Sequence, residues 1–307
     1  MPNAILSWGV DVIRLMQHMS PTCDGFFRDL STLGSLDGTL LILALLYWCL
    51  GRSAAARLGL LYLGSSAVNA ALKMGFHQPR PQDFDAGVRV LATAEGHGLP
   101  SGHAQAAVIL WGSIALRWRQ PWVRIACGVM IVLICLSRIY LGVHFPTDVL
   151  GGAIVGVTLL CLAAKYQSRL PTLRSASMPL LLLVAGVMLA LALSLRLPHE
   201  AIAAMGALAG LTCGYVIERR HRSPVKALSP WRNLCRGSVG AAGYLLLHLA
   251  GMYLFANLPS RLYVPCSYAL LGLWVTWLAP WTFRRLGVTA RDGECLPPDG
   301  VGSRMAG

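Results

Sequence analysis

Residues 122–141 read WVRIACGVMIVLICLSRIYL, twenty positions whose interior, between Arg124 and Arg138, carries no charge. About 20 mostly apolar residues are what an α-helix needs to cross the hydrocarbon core of a bilayer. A second run, 148–165, follows after the short stretch GVHFPT at 142–147. Lipid offers no water to a free backbone N–H or C=O, so such runs cross it as helices with all their bonds closed internally. The pair reads as a transmembrane hairpin with a polar connection.

Working outward, similar runs occupy about 35–51, 57–75, 103–117, 177–195, 200–217, 237–256 and 262–281. The expected fold is therefore all-α, a polytopic transmembrane helical bundle of about nine spans. Composition agrees. The 307 residues are 55% hydrophobic and only 13% charged, with mean hydropathy +0.58, whereas soluble domains are roughly a quarter charged. The net charge of +13 comes from short basic clusters between apolar runs. That is membrane topology rather than a basic binding face, and no nucleic-acid partner is expected. Nine cysteines lie scattered, mostly in apolar runs, without CxxC spacing. They predict neither a disulfide framework nor a structural zinc site.

Residues 4–19 set Ile5, Trp8, Val12, Leu15, Met16 and Met19 on one helical face, with Asp11, Arg14 and His18 opposite. This reads as an amphipathic interfacial helix, not a signal peptide. The chain divides into an N-terminal interfacial segment (1–34), a membrane core (35–176), a further four-helix region (177–282) and a tail (283–307). If the loops after odd-numbered spans share one side with the tail, that side holds 18 of the 26 basic residues and four acids. Cytoplasmic loops favour Lys and Arg. The N-terminus is then expected outside, the C-terminus inside, and the polar stretches described next on the outer face of the inner (plasma) membrane.

Three such stretches stand out. Lys73 ends the second span, and Pro79 and Pro81 hold Arg80 in extended chain beyond it. Pro100-Ser101-Gly102-His103 opens the third. Ser137-Arg138, His144 and Asp148 bridge the fourth and fifth. The patterns K-x6-R-P, P-S-G-H and S-R-x5-H-x3-D, in this order, resemble the three motifs of the type 2 phosphatidic acid phosphatase superfamily. The resemblance covers about residues 35–166 and does not reach the four later spans. It implies a membrane enzyme that removes phosphate from a lipid, with membrane lipids as surroundings. The four later spans are expected to widen the lipid groove or to mediate homo-oligomerisation.

The chemistry is intelligible beside the resemblance. A transferring phosphoryl group spreads negative charge over three oxygens, so catalysis requires fixed cations and N–H donors around them. Lys73, Arg80 and Arg138 can supply the cations. Ser101 and Gly102, where a helix begins, can add hydroxyl and backbone donors. The resemblance implies His144 as the nucleophile that forms a phosphohistidine, with Asp148 orienting it. It implies His103 as the acid for the leaving alkoxide and then the base for water. No metal or other cofactor is expected.

Other residues read more plainly. His77 and His97 are expected in loops, Asp83 and Asp85 in solvent, and His248 satisfied by a neighbouring helix. Gly64, Ser65, Ser66 and Ala70 suit close helix packing. Candidate substrates are phosphatidic acid, phosphatidylglycerol phosphate, a sphingoid-base phosphate and undecaprenyl diphosphate. A lipid phosphotransferase using the same histidine and a lipid transporter or scramblase are the alternatives.

Overall fold

A computed structural model describes residues 2–166, 178–195, 197–218 and 230–288. Among the described residues all regular structure is helical. In chain order the helices are α1 (Pro2–Gln17), α2 (Asp24–Gly34), α3 (Leu36–Cys49), α4 (Arg52–Phe76), the short α5 (Pro81–Phe84), α6 (Gly102–Arg117), α7 (Pro121–Tyr140) and α8 (Pro146–Tyr166). Then come α9 (Met178–Ser194), α10 (His199–Glu218), α11 (Pro230–Leu254) and α12 (Ser260–Leu273), the last running through a π-helical turn, Trp274–Leu278, into α13 (Ala279–Arg285). Prolines open α5, α7, α8 and α11, where the missing N–H is no loss.

Five of the described helices are long and apolar enough to cross a membrane: α7, α8, α10, α11 and the α12–α13 rod. A sixth arises if α2 and α3, bent by 57° at Ser35, count as one. The chain is an integral membrane protein. The about nine spans expected from the sequence also counted α4, α6 and α9. Helix α6 has 16 residues and α9 has 17, about 24–26 Å at 1.5 Å per residue and so short of a ~30 Å core. Helix α4 has the length, but Arg57, Ser65, Ser66 and Asn69 dilute its hydropathy.

Two features add to the sequence reading. Helix α1 turns Val10, Ile13 and Gln17 to the protein and leaves Ile5, Trp8 and Leu15 exposed. Its broad apolar face is thus mostly outward, as suits a helix beside lipid. Helix α2, which the hydropathy pattern did not single out, packs on α7. Phe27 stacks on Tyr140 at 4.2 Å between centroids, and the Tyr140 hydroxyl donates to Asp24 at 2.6 Å. Of the proposed tail, residues beyond 288 lie outside the described residues, as do several of the loop arginines used to orient the chain.

The main core is shared by both halves of the chain. Tyr47, Trp48, Leu63, Ile109 and Leu110 pack with Ile202, Met205, Leu271 and Phe283. At one end of the bundle Glu218 accepts from Arg52 at 3.3 Å and from Arg284, tying α4, α10 and α13 together. The opposite end collects the last turn of α4, the first of α6, the last of α7 and the first of α8. Helices α6 and α8 meet there at glycines of α8, which face the backbone and the Ala104 and Val108 side chains of the α6 segment. A Cβ on Gly152 would lie 2.3 Å from the Ser101 carbonyl, and one on Gly156 would lie 3.0 Å from that of Gln105. Small residues allow this approach.

Candidate active site

Each of the eight sequence-selected residues falls at this one end, on four different helices and three connections. His144 lies in the turn after α7, two residues before Pro146 opens α8. Its Nδ1 is 3.3 Å from Oδ2 of Asp148. The same carboxylate oxygen accepts the Phe145 N–H at 3.0 Å, and Gln78 donates to the other oxygen at 2.5 Å. Asp148 is fully buried and His144 nearly so. Burial holds the His144 pKa well below the usual imidazole value, and the nearby positive charges of Arg138, Arg80 and Lys73 push the same way. With Nδ1 committed toward Asp148, a neutral His144 has Nε2 free as a lone-pair donor.

Motif two reaches the same place through the backbone. The Ser101 N–H donates to the Asp148 carbonyl at 2.9 Å, which fixes the start of α6 against the start of α8. Ser101 stands at the N-cap of α6, yet its side chain makes no capping bond; Oγ is buried with no hydrogen-bond partner among the described residues. A plain helix-cap role is therefore not what holds it. His103 follows, half-buried, with its ring against the end of α2: a Cβ on Gly34 would lie 3.4 Å from His103 Cδ2.

The three cations are held differently. Arg80 is buried and bonded to three carbonyls, through Nε to Gly96 at 2.7 Å, Nη1 to Val143 at 2.8 Å and Nη2 to Glu95 at 2.6 Å. It clamps the 85–98 loop to the residue before His144, and keeps two further N–H groups. Arg138, in the last turn of α7, donates to Ser31 of α2, while its Nε has no partner among the described residues. Lys73 is buried in the last turn of α4. It lines a cavity of about 370 Å³ together with Gly102, His103 and residues of α3, α10, α11 and α12.

Residues 54–171 match the PAP2 superfamily, and residues 202–291 match the transmembrane extension of PAP2 superfamily phosphatases. The chain belongs to the PAP2 superfamily. Among its PAP2 relatives it is 35% identical over 116 residues to phosphatidylglycerophosphatase B of Bacillus subtilis, covering 35% of this chain and 55% of that one. It is 27% identical over 192 residues to the glucose-6-phosphatase catalytic subunit 1 of Haplochromis nubilus, 52% of this chain and 54% of that one. The chain thus spans little over half the length of these curated relatives. A solved transmembrane PAP2-type phosphatidylglycerolphosphate phosphatase from Bacillus subtilis shares 26% identity with a TM-score of 0.46, over 56% of this chain and 90% of that one.

Around the three PAP2 motifs the structure adds residues that sequence reading did not assign. Gln78, inside the first motif, holds Asp148. Ser31 holds Arg138 from a helix that the hydropathy pattern missed. Asn69 donates to Gln105 at 2.9 Å and Gln105 to the Ser65 carbonyl at 2.8 Å, locking α4 to α6 beneath the site. Glu200, from the first turn of α10, is the acid whose charge bears most on Lys73, Arg80 and Arg138. Asp83 and Asp85, expected in solvent, are exposed and partly exposed, and each also has a partner: Asp85 pairs with Arg14 at 3.0 Å, and Asp83 accepts the Arg80 N–H at 3.1 Å. His77 ends α4 in the left-handed region at φ 48° and packs edge-on to His97. His248 faces Asp37 at 4.0 Å on the cavity wall.

Proposed function

We propose that the chain is a membrane lipid phosphate phosphatase that works through a phosphohistidine. The observation that carries this reading is His144 held through Nδ1 by the buried Asp148 carboxylate, at the same end of the bundle as Lys73, Arg80, Arg138, Ser101 and His103. The phosphate oxygens sit among the three cations, the Ser101 hydroxyl and the N–H groups opening α6. Burial and the charges of Arg138, Lys73 and Arg80 hold the His103 pKa low; a phosphate dianion bound on those cations offsets them, and His103 takes up a proton with the substrate. His144 Nε2 attacks phosphorus as the bond to the lipid oxygen breaks, and the protonated His103 gives its proton to that departing oxygen. Asp148 stabilises the charge that forms on the imidazole. His103, now neutral, takes a proton from water as the water oxygen attacks phosphorus. The N–P bond breaks, and phosphate and free His144 result.

The lipid nature of the substrate is supported by the site's position at one end of an apolar bundle and by the relative that acts on phosphatidylglycerol phosphate. The charge asymmetry of the loops supports a site on the outer face of the membrane, with the N-terminus outside and the C-terminus inside. Residues 35–176 act as the catalytic core and 177–282 as an added wall. The test is phosphate release from a panel of lipid phosphates and diphosphates by the purified protein. His144→Ala is expected to abolish release, and radioactive phosphate from a labelled lipid is expected to stay on the wild-type protein after an acid-free quench. Full activity in His144→Ala sinks the reading. Transfer of the label to a second lipid instead of water would identify a phosphotransferase.

A further inference from the structure

The cavity beside His103 differs in character from the cationic site it adjoins. One wall carries Lys73, Gly102 and His103; the others carry Asp37 from α3, Glu200 from α10 and Ser267 from α12. Glu200 stands against the phosphate-binding backbone: its Oε2 lies 3.9 Å from where a Cβ on Gly102 would be. Asp37 accepts from the Tyr268 hydroxyl at 2.8 Å and faces His248 at 4.0 Å. Ser267 is 9% exposed, and its Oγ is buried on this wall with no hydrogen-bond partner among the described residues. Two carboxylates and an unpartnered hydroxyl therefore face a space of about 370 Å³ on the side of His103, where the leaving alcohol departs.

We propose that this cavity is an ammonium-binding subsite, with its carboxylates on α3 and α10 and its hydroxyl on α12, and that the preferred substrate is a phosphomonoester bearing an amine a few atoms from the ester oxygen. The inference rests on the phosphatase reading for the phosphate and adds the charge of what the phosphate is attached to. A phosphate on Lys73, Arg80 and Arg138 and an ammonium on Glu200 and Asp37 satisfy both halves of the site at once, with Ser267 adding a hydrogen bond. A leaving group that keeps a second phosphate would set an anion against those two carboxylates. Specificity of this kind uses repulsion as well as attraction.

Sphingosine 1-phosphate and its N-acetyl derivative differ by the amine charge and little bulk, and so isolate the claim. Their affinities are measured on the His144→Ala protein in detergent, and their hydrolysis on the wild-type protein. The free amine is expected to bind about tenfold more tightly, and phosphatidylglycerol phosphate more weakly than either. In the same background Glu200→Gln with Asp37→Asn is expected to bring the amine and N-acetyl compounds to within about threefold, at an unchanged Tm. Equal binding of the pair, or a ratio unmoved by the double substitution in a protein of wild-type Tm, overturns the subsite and leaves the phosphatase reading untouched. A tenfold preference without phosphate release from any substrate supports the subsite and overturns the phosphatase reading instead.

Discussion

The Nδ1 of His144 and Oδ2 of Asp148 lie 3.3 Å apart, and that carboxylate is itself held by Phe145 N–H on the same oxygen and Gln78 on the other. The carboxylate thus cannot rotate away from the ring without breaking two other bonds. Asp148→Asn replaces an acceptor-only group with an amide that can face His144 with its NH₂, which favours the wrong tautomer. A fall in kcat of roughly a hundredfold or more is expected. Gln78→Ala, which loosens the carboxylate but leaves it charged, is expected to cost about tenfold. Steady-state kinetics on purified variants check both. An Asp148→Asn enzyme at wild-type speed would remove the orienting role.

The pH dependence follows from the sign of the His144 shift. Burial and the surrounding cations lower its pKa well below 6.5, so the imidazole stays neutral and nucleophilic as pH falls through that value. The acid limb of kcat/KM is expected below pH 6.5. Among the nearby charges Arg138 is the first contributor after burial. Arg138→Gln removes a repelling charge, lets the imidazole protonate more readily, and moves the limb to higher pH while lowering the plateau. A profile of kcat/KM on a water-soluble phosphomonoester reads both effects. A limb that moves to lower pH would contradict the arrangement.

Arg80 is more than a counter-charge. Its guanidinium bonds the carbonyls of Glu95, Gly96 and Val143, a fan that a lysine ammonium on a longer, flexible stem cannot reproduce. Arg80→Lys keeps the charge and leaves carbonyls short of partners, each costing about 1–3 kcal/mol where buried. A lower Tm and faster proteolytic cleavage within 85–98 are expected alongside lost activity. Arg138→Lys, with one partner in Ser31, is expected to lose activity with a smaller change in Tm. Thermal unfolding in detergent and limited proteolysis separate the two.

Much of this site was legible because its chemistry is local in sequence: each motif sits at a helix end, and the packing of α4, α6, α7 and α8 brings those ends together. His144 and Asp148 are four residues apart, and the short turn between α7 and α8 leaves them little choice but to meet. The helix-end partners were not legible. Ser31 belongs to an 11-residue helix with mixed composition, too short to register as a span and too apolar on one side to read as loop. Glu200 sits 52 positions beyond Asp148, and only the packing of α10 against α4 brings its carboxylate to the motif cations. The interfacial reading of α1 gave its amphipathicity but not which face the protein takes, because Val10, Ile13 and Gln17 form a narrower stripe than the apolar residues beside them. The expected span count included α6 and α9, whose apolar runs are visible in sequence but whose helices are shorter than a bilayer core is thick.

The contact between α6 and α8 offers the sharpest test of how the fold serves the site. At Gly152 the two backbones approach so closely that a methyl group would meet the Ser101 carbonyl at 2.3 Å and the Ala104 Cβ at 3.2 Å. The obstacle is backbone, so no rotamer change relieves it, and Gly152→Ala must push α8 away from α6. That contact sits between the Ser101 N–H and the Asp148 carbonyl it bonds, so the displacement falls directly between Ser101-His103 and His144-Asp148. Overpacking of this kind costs about 1–3 kcal/mol. Misplacing reacting groups by about 1 Å costs on the order of a hundredfold in rate. Gly128→Ala in α7, where a Cβ would meet nothing within 4 Å, is the matched control and is expected to leave both Tm and kcat unchanged. If Gly152→Ala lowers Tm but not kcat, alignment of the second and third motifs does not depend on this contact.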